Sequence, residues 1–333
     1  MLGTLVVGLG RAGTGLHLPV LRGLRRAISG PPTRPPMIVF DPFRTVEAGP
    51  DTVVAQSLTD AARLTDPART VVHLCTPPNA RVRPLIELAE LGFRLVLVEK
   101  PLAADEPGLA AMLRVQETYG LDLLPVAQWR RSELTRRIQE VLRGGRLGAL
   151  RSITFVQSKP RFSRTVAGDD HPSAFDIEAP HSVGLALALA GPARVTDAGC
   201  TDMVLGDAVF PALGGAWLRL THAGGVRTEI HTDLTSPLRE RRITLKLDNG
   251  TMVGHFAVSD ADEYAQLWVR APEGDLHSVF RDDSLAAFLR LAYRHFAGEE
   301  PMVDEPASGA SVVSLIGAAK RLAGLAMPVG AAR

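Results

Sequence analysis

Apolar runs and helical stretches alternate through the first third of the chain. Runs at Leu2–Leu9, Met37–Phe40, Thr52–Ala55, Val71–Cys75, Arg94–Val98 and Leu123–Ala127 read as strands. Between them, apolar positions at helical spacing predict helices over Ala12–Ala27, Ala80–Leu91 and Pro107–Tyr119. Strands that are apolar throughout, rather than alternating, belong to a parallel sheet covered on both faces. The proline-rich segment Ser29–Pro36 reads as a loop, because proline removes backbone donors and stops the preceding helix. From Phe43 to Thr52 the chain is too short for a full crossover helix.

A helix over Ser132–Arg143 stops at Gly144 and Gly145, and the rhythm then changes. Strand-like runs follow at Leu150–Gln157, Arg194–Met203, Gly215–Thr221, Arg227–Asp233, Arg241–Leu247, Thr251–Ala257 and Ala265–Arg270. Segments His222–Gly225 and Asp248–Gly250 have hairpin-turn chemistry, so this second sheet is mainly antiparallel. One helix near Ala179–Ala190 interrupts it, and two more, Asp283–Phe296 and Gly309–Leu325, close the chain. The expected organisation is a doubly wound α/β domain over 1–128, followed by an α+β domain with a large open sheet over 129–333. The last helices are free to pack back on the first domain.

Composition narrows the function classes. A chain of 333 residues, 46% apolar and 22% charged, suits two domains with sizeable cores. A net charge of +1 with scattered basic residues gives no nucleic-acid footprint. No run is long enough for a membrane span, and a strand beginning at Leu2 leaves no room for a leader, so a cytoplasmic protein is expected. Cys75 and Cys200 lie in apolar runs and read as buried small hydrophobes, so neither a disulfide scaffold nor a metal site is expected. Lysine occurs only at 100, 159, 246 and 320 in a chain rich in arginine. Each retained lysine therefore asks what arginine could not do there.

The first strand runs into a turn that carries Gly8, Gly10 and Gly13, with Arg11 and Ala12 between the last two, and then into a helix. Gly8 permits the tight turn, Gly10 lets a pyrophosphate approach the backbone, and Gly13 lets helix and strand pack closely. Asp41 ends the second strand, where a carboxylate can accept from both ribose hydroxyls and favour NAD; it also suits a turn before Pro42. Arg44, three residues on, offers a place for the extra phosphate of NADP, so both nucleotides stay open. Thr76, Pro77 and Asn79 follow the fourth strand and line the ligand crevice, and Asn79 also suits a helix cap. Glu99 and Lys100 follow the fifth strand at the same sheet edge. A partly buried lysine is a compact donor whose proton can be tuned, which arginine's cannot; an exposed lysine paired with Glu99 is the plainer alternative.

The glycine turn, Thr76–Asn79, the Glu99-Lys100-Pro101 tripeptide, Gln128–Arg131 before a helix ending towards Gly148, and the tail Gly298–Asp304 resemble the Gfo/Idh/MocA oxidoreductases, nearly end to end. The resemblance implies an N-terminal Rossmann domain, a C-terminal open sheet, and hydride transfer between a nicotinamide and an oxygen-bearing carbon. It also implies that Lys100 orients cofactor and substrate, and that Gln128 joins the cofactor contacts. His181 falls on the family's histidine and is the acid/base candidate. The acidic partner expected four residues earlier is Ile177 here, with Asp176 and Glu178 flanking it, and Pro180 blocks a regular helix upstream. Lys159, Arg161, Arg164 and His171 form a basic segment that could bind an anionic group on a sugar-derived substrate; a solvated basic loop is the alternative. The family's open sheet face implies a homodimer or homotetramer. Alternatives are an imine reductase, an NAD-retaining hydrolase of the same fold, or a nucleotide-sensing protein without chemistry.

Overall fold

The computed structural model describes all residues except 1, 28–34, 45–48, 50, 169–170, 259–261, 303–304 and 326–333. Most of the expected proline-rich loop and much of the short crossover after Phe43 lie outside the described residues. In chain order the first elements are β1 (Gly3–Val7), α1 (Leu18–Ala27), β2 (Met37–Phe40), β3 (Thr52–Val54), α2 (Leu58–Arg63), β4 (Thr70–Leu74), α3 (Val82–Glu90), β5 (Leu95–Val98), α4 (Glu106–Tyr119) and β6 (Asp122–Pro125). They are followed by α5 (Glu133–Gly144), β7 (Leu150–Ser158), α6 (Phe162–Val166), α7 (Ala179–Ala190), β8 (Ala193–Leu205), β9 (Ala208–His222), β10 (Arg227–Asp233), β11 (Glu240–Leu247), β12 (Gly250–His255), β13 (Tyr264–Ala271) and β14 (Gly274–Arg281). Two helices, α8 (Ser284–Phe296) and α9 (Glu305–Leu322), complete the chain.

The chain divides into two compact units, Met1–Ala127 with Leu285–Val313 and Gln128–Ser284 with Ser314–Arg333. In the first, six parallel strands run in the order β3-β2-β1-β4-β5-β6. This is the doubly wound order, which reverses direction between β1 and β4 and opens a crevice at the carboxyl ends of those strands. The strands are apolar throughout because both faces are covered. One core packs Leu5, Val72, Val96 and Phe93 with Leu85, Leu88 and Met112, and the other packs Val6, Val71 and Leu97 with Phe288, Leu289 and Ala292 of α8.

In the second unit eight strands run β14-β13-β12-β11-β7-β10-β9-β8. Neighbours are antiparallel except β7 and β10, which run parallel at the centre. Alternation along the strands buries one face, with Ile153, Phe155, Leu218, Ile230, Ile243, Leu245 and Met252 all inaccessible. Helix α5 packs on this face, where Gly254 leaves room for Leu134 beside Ile243.

Four elements depart from the reading of the sequence. Strand β14 carries no strand signal in the sequence; it is an edge strand, mostly exposed on both faces, so its residues show no apolar alternation. Helices α2 and α6 span six and five residues, less than two turns, and are too short to display a period. The helix expected from Ala12 opens as a wide π-type turn over Gly13–His17 before becoming regular at Leu18.

Candidate active site

The first unit gathers its chemistry at the carboxyl edge of the parallel sheet. The ladder continues past the strand ends: Gly8 N donates to Phe40 O at 2.9 Å, Cys75 N to Val7 O at 2.8 Å and Glu99 N to Leu74 O at 3.0 Å. The glycine turn, the Thr76 turn and the Lys100 turn are thereby fixed side by side. Two of the glycines are imposed by close approach. A Cβ on Gly8, whose φ is +92°, would lie 2.8 Å from Thr76 N, and one on Gly13 would lie 2.1 Å from Gly8 O. Gly10 differs, since a Cβ there would meet nothing within 4 Å. That opening at a helix N-terminus is where a pyrophosphate would rest.

Arg11 is exposed and Ala12 half-buried at this turn. Asp41 closes it, its carboxylate accepting from Leu9 N at 2.7 Å and from Phe43 N at 2.8 Å. Each carboxylate oxygen of Asp41 is thus engaged by a backbone N–H of the turn. Arg44 is exposed nearby in sequence. Pro77 and Asn79 are exposed, and the Thr76 hydroxyl is buried with no hydrogen-bond partner among the described residues. A buried hydroxyl without a partner is costly, and a ligand oxygen would satisfy it. The glycine cradle and this hydroxyl together fit a dinucleotide.

Asn79 does not cap the following helix. It lies within a 3₁₀ turn over Pro78–Ala80, and Arg81 stands at the start of α3 with no side-chain cap. The Arg81 guanidinium is instead buried beneath the site, donating from Nε to Thr76 O at 2.9 Å and from a terminal nitrogen to Pro101 O. Burial pulls its pKa down to about 10, opposed by the charge of Glu99 and by Cys75. The one side chain ties the Thr76 turn to the Lys100–Pro101 peptide, which is cis.

Glu99 is buried and Lys100 half-buried. Glu99 Oε2 accepts from the Lys100 backbone N–H at 3.1 Å, and Oε1 accepts from His17 Nε2 at 2.8 Å. Burial alone would raise the Glu99 pKa, but the His17 hydrogen bond and the charges of His17, Lys100 and Arg81 hold it below the ordinary value. His17 had no signal in the sequence beyond its place after the glycine turn. His17 Nδ1 meets His73 Nδ1 at 2.7 Å, His73 Nε2 meets Tyr293 Oη at 3.0 Å, and Tyr293 Oη meets Thr4 Oγ1 at 2.7 Å.

In the second unit, Pro180 sits in the first turn of α7 and the segment before it is a 3₁₀ turn over Ala174–Asp176. Proline is tolerated in a first turn, where its missing N–H has no helical partner. His181 is half-buried in that turn and stacks on Trp129, ring centroids 5.2 Å apart, with Phe256 on Trp129 at 4.1 Å. Both flanking carboxylates are buried and held by lysines. Asp176 Oδ1 accepts from Lys320 Nζ at 2.5 Å and Oδ2 accepts from Ser173 Oγ at 2.6 Å, while Glu178 pairs with Lys159. Gln157 fixes the start of α7 by donating to Glu178 O at 3.3 Å and to Ser182 Oγ. The basic segment is only partly solvated: Arg164 is exposed and His171 half-buried, but Arg161 is buried at the start of α6. Gln128 is half-buried in a 3₁₀ turn over Gln128–Arg131. Cys75 is buried, whereas Cys200 is only half-buried, which corrects the expectation for the second cysteine. Among the described residues no cluster is arranged to hold a metal ion, and no helix is long and apolar enough to cross a membrane.

No protein-family model and no curated sequence matches the chain. Solved structures do match in fold. Levoglucosan dehydrogenase, solved with NADH and levoglucosan, is similar over 97% of this chain and 97% of its own, with a TM-score of 0.75 at 15% identity. A 3-ketoreductase from Actinomadura kijaniata, solved with NADP and TDP-benzene, is similar over 96% of this chain and 97% of its own, with a TM-score of 0.75 at 17% identity. Both are oxidoreductases solved with a nicotinamide nucleotide. The chain shares their two-sheet α/β fold.

Proposed function

We propose that the protein is an NAD(P)-dependent oxidoreductase acting at a carbonyl or hydroxyl carbon of a sugar-like or keto substrate, of the Gfo/Idh/MocA type. The observation that carries this reading is the open space over Gly10, framed at the same sheet edge by the unpartnered Thr76 hydroxyl and by Lys100. The backbone from Gly8 through Gly10, Arg11, Ala12 and Gly13 would hold the pyrophosphate, with Asp41 or Arg44 at the adenosine ribose. Thr76, Pro77, Asn79, Glu99, Lys100 and Gln128 would complete the cofactor contacts. When bound, the nicotinamide supplies or accepts the hydride.

In this reading Lys100 donates to the substrate oxygen and orients it. His181 serves as the acid/base, giving a proton in reduction and taking it back in oxidation, with its ring plane fixed by the Trp129 stack. Asp176 and Glu178, each held by a lysine, orient substrate hydroxyls, and Arg161 faces an anionic group. The protein works as a homo-oligomer joined through the face of the eight-stranded sheet that carries Trp217, Val253 and Trp268, which sedimentation velocity checks.

The test follows reduced nicotinamide over a panel of sugars, polyols and keto acids. Lys100→Ala and His181→Ala are each expected to lower turnover by about a hundredfold or more while nucleotide affinity persists. Unchanged turnover in both variants would overturn the roles. Tight nucleotide binding with no turnover on any substrate would instead favour a nucleotide sensor, a reading to which the lysine-bound Asp176 and Glu178 lend weight.

A further inference from the structure

A file of polar side chains runs through the interior of the first unit: Glu99, His17, His73, Tyr293 and Thr4, each hydrogen-bonded to the next. Both imidazoles are completely buried, and Thr4 and Glu99 nearly so. Apolar residues would fill this space without the penalty of desolvating polar groups. The file ends at the candidate site. Glu99 takes His17 on one oxygen and the Lys100 peptide N–H on the other, so its carboxylate is a strut between the last residue of the Gly13–His17 turn and the lysine.

We propose that His17 is a positioning residue for Lys100: through Glu99 it joins the glycine turn to the Lys100 turn, and the charge on its ring sets how tightly the lysine holds its proton. The hydrogen-bond directions agree with this. A doubly protonated His17 donates from Nε2 to Glu99 and from Nδ1 to His73. A neutral His73 accepts at Nδ1 and donates from Nε2 to Tyr293, whose hydroxyl donates to Thr4. Every bond of the file then has one donor and one acceptor. The groups facing the His17 ring are Glu99 after β5, and His73 and Cys75 on and after β4; the charges of Arg81 and Lys100 also act on Glu99. Burial opposes the charge on His17, but Cys75 and Glu99 outweigh it and push the pKa up to about 10. Burial and the charge of His17 push His73 far down. With His17 charged, the Glu99 carboxylate is largely cancelled as seen by Lys100. With His17 neutral, that carboxylate would stabilise the Lys100 ammonium and raise its titration midpoint.

The inference rests on the reading above only in giving Lys100 a task, and its test needs no turnover. With four lysines in the chain, ¹³C labelling at lysine Cε gives a spectrum simple enough to titrate Lys100, assigned by Lys100→Arg. Imidazole ¹⁵N shifts should show a histidine still doubly protonated at about pH 8, well above its ordinary midpoint, and absent from His17→Gln. In His17→Gln the Lys100 midpoint should rise by at least about half a pH unit while the other lysines stay put. Tyr293→Phe removes the acceptor of His73 and covers the case in which His17→Gln does not fold. There the His17 midpoint should fall by about one pH unit and the Lys100 midpoint should rise with it. A neutral His17 at that pH, or a Lys100 midpoint indifferent to the state of His17, would overturn the coupling. Coupling without turnover would retire the enzyme reading alone, and turnover dependent on Lys100 with no coupling would retire this one alone.

Discussion

Asp176 is bound by Ser173, three residues before it, and by Lys320, which no local pattern announces because it lies 144 residues further on. An ammonium at the end of a thin stem fits a site with 8% exposure where the planar arginine fork would need more room. Removing one member of such a pair strands a buried charge. Asp176→Ala should therefore lose about 3–5 kcal/mol in chemical denaturation, while Asp176→Leu combined with Lys320→Met should recover most of it. Equal losses in the single and double variants would contradict the pairing. The two buried imidazoles give opposite pH signatures. The His17 pKa is raised, so its contribution is full below the ordinary histidine value and is lost as pH climbs through about 10. The His73 pKa is depressed, so its contribution is full above the ordinary value and is lost as pH falls below it. Stability should peak near the ordinary histidine pKa, and His17→Gln should flatten the alkaline limb. Local geometry was legible in the sequence: the close approach at Gly8 and Gly13, and Asp41 as a turn residue at its strand end. The His17 file was not, because its members stand 56 and 220 residues apart and only the fold makes them neighbours.

Elements follow the same division. Helix α5 starts at Ser132, whose hydroxyl accepts from Thr135 N at 3.0 Å, and ends at Gly145 with φ near +69°, so both ends could be read from the residues themselves. Its start has a second acceptor that could not be read. Asp282, just before α8, accepts from Glu133 N at 2.9 Å and from Leu134 N at 3.4 Å. Asp282→Ala should lower stability by about 1–2 kcal/mol, measured by denaturation, with Asp282→Asn retaining part of it. Strand β14 hydrogen-bonds to one neighbour only and shows water most of its side chains, so apolar alternation never marked it. Doubly covered strands such as β4 and β5 were plain for the opposite reason, short as they are.

At the scale of the molecule, the parallel direction of the first sheet follows from its alternation with helices, whereas its strand order and the membership of Leu285–Val313 in the first unit depend on contacts between distant parts of the chain, such as those of Phe288, Leu289 and Ala292. That topology places the reversal of strand order beside Gly8, and the glycine turn gives the edge its open cradle. Calorimetric titration of NADH and NADPH into wild type and Gly10→Ala tests this most directly, because an added methyl at Gly10 touches no protein atom within 4 Å. The account predicts that wild type binds at least one nucleotide, and that Gly10→Ala keeps its stability within about half a kcal/mol yet loses about tenfold or more in affinity. Wild type that binds neither nucleotide, or a Gly10→Ala protein that binds as well as wild type, would contradict it.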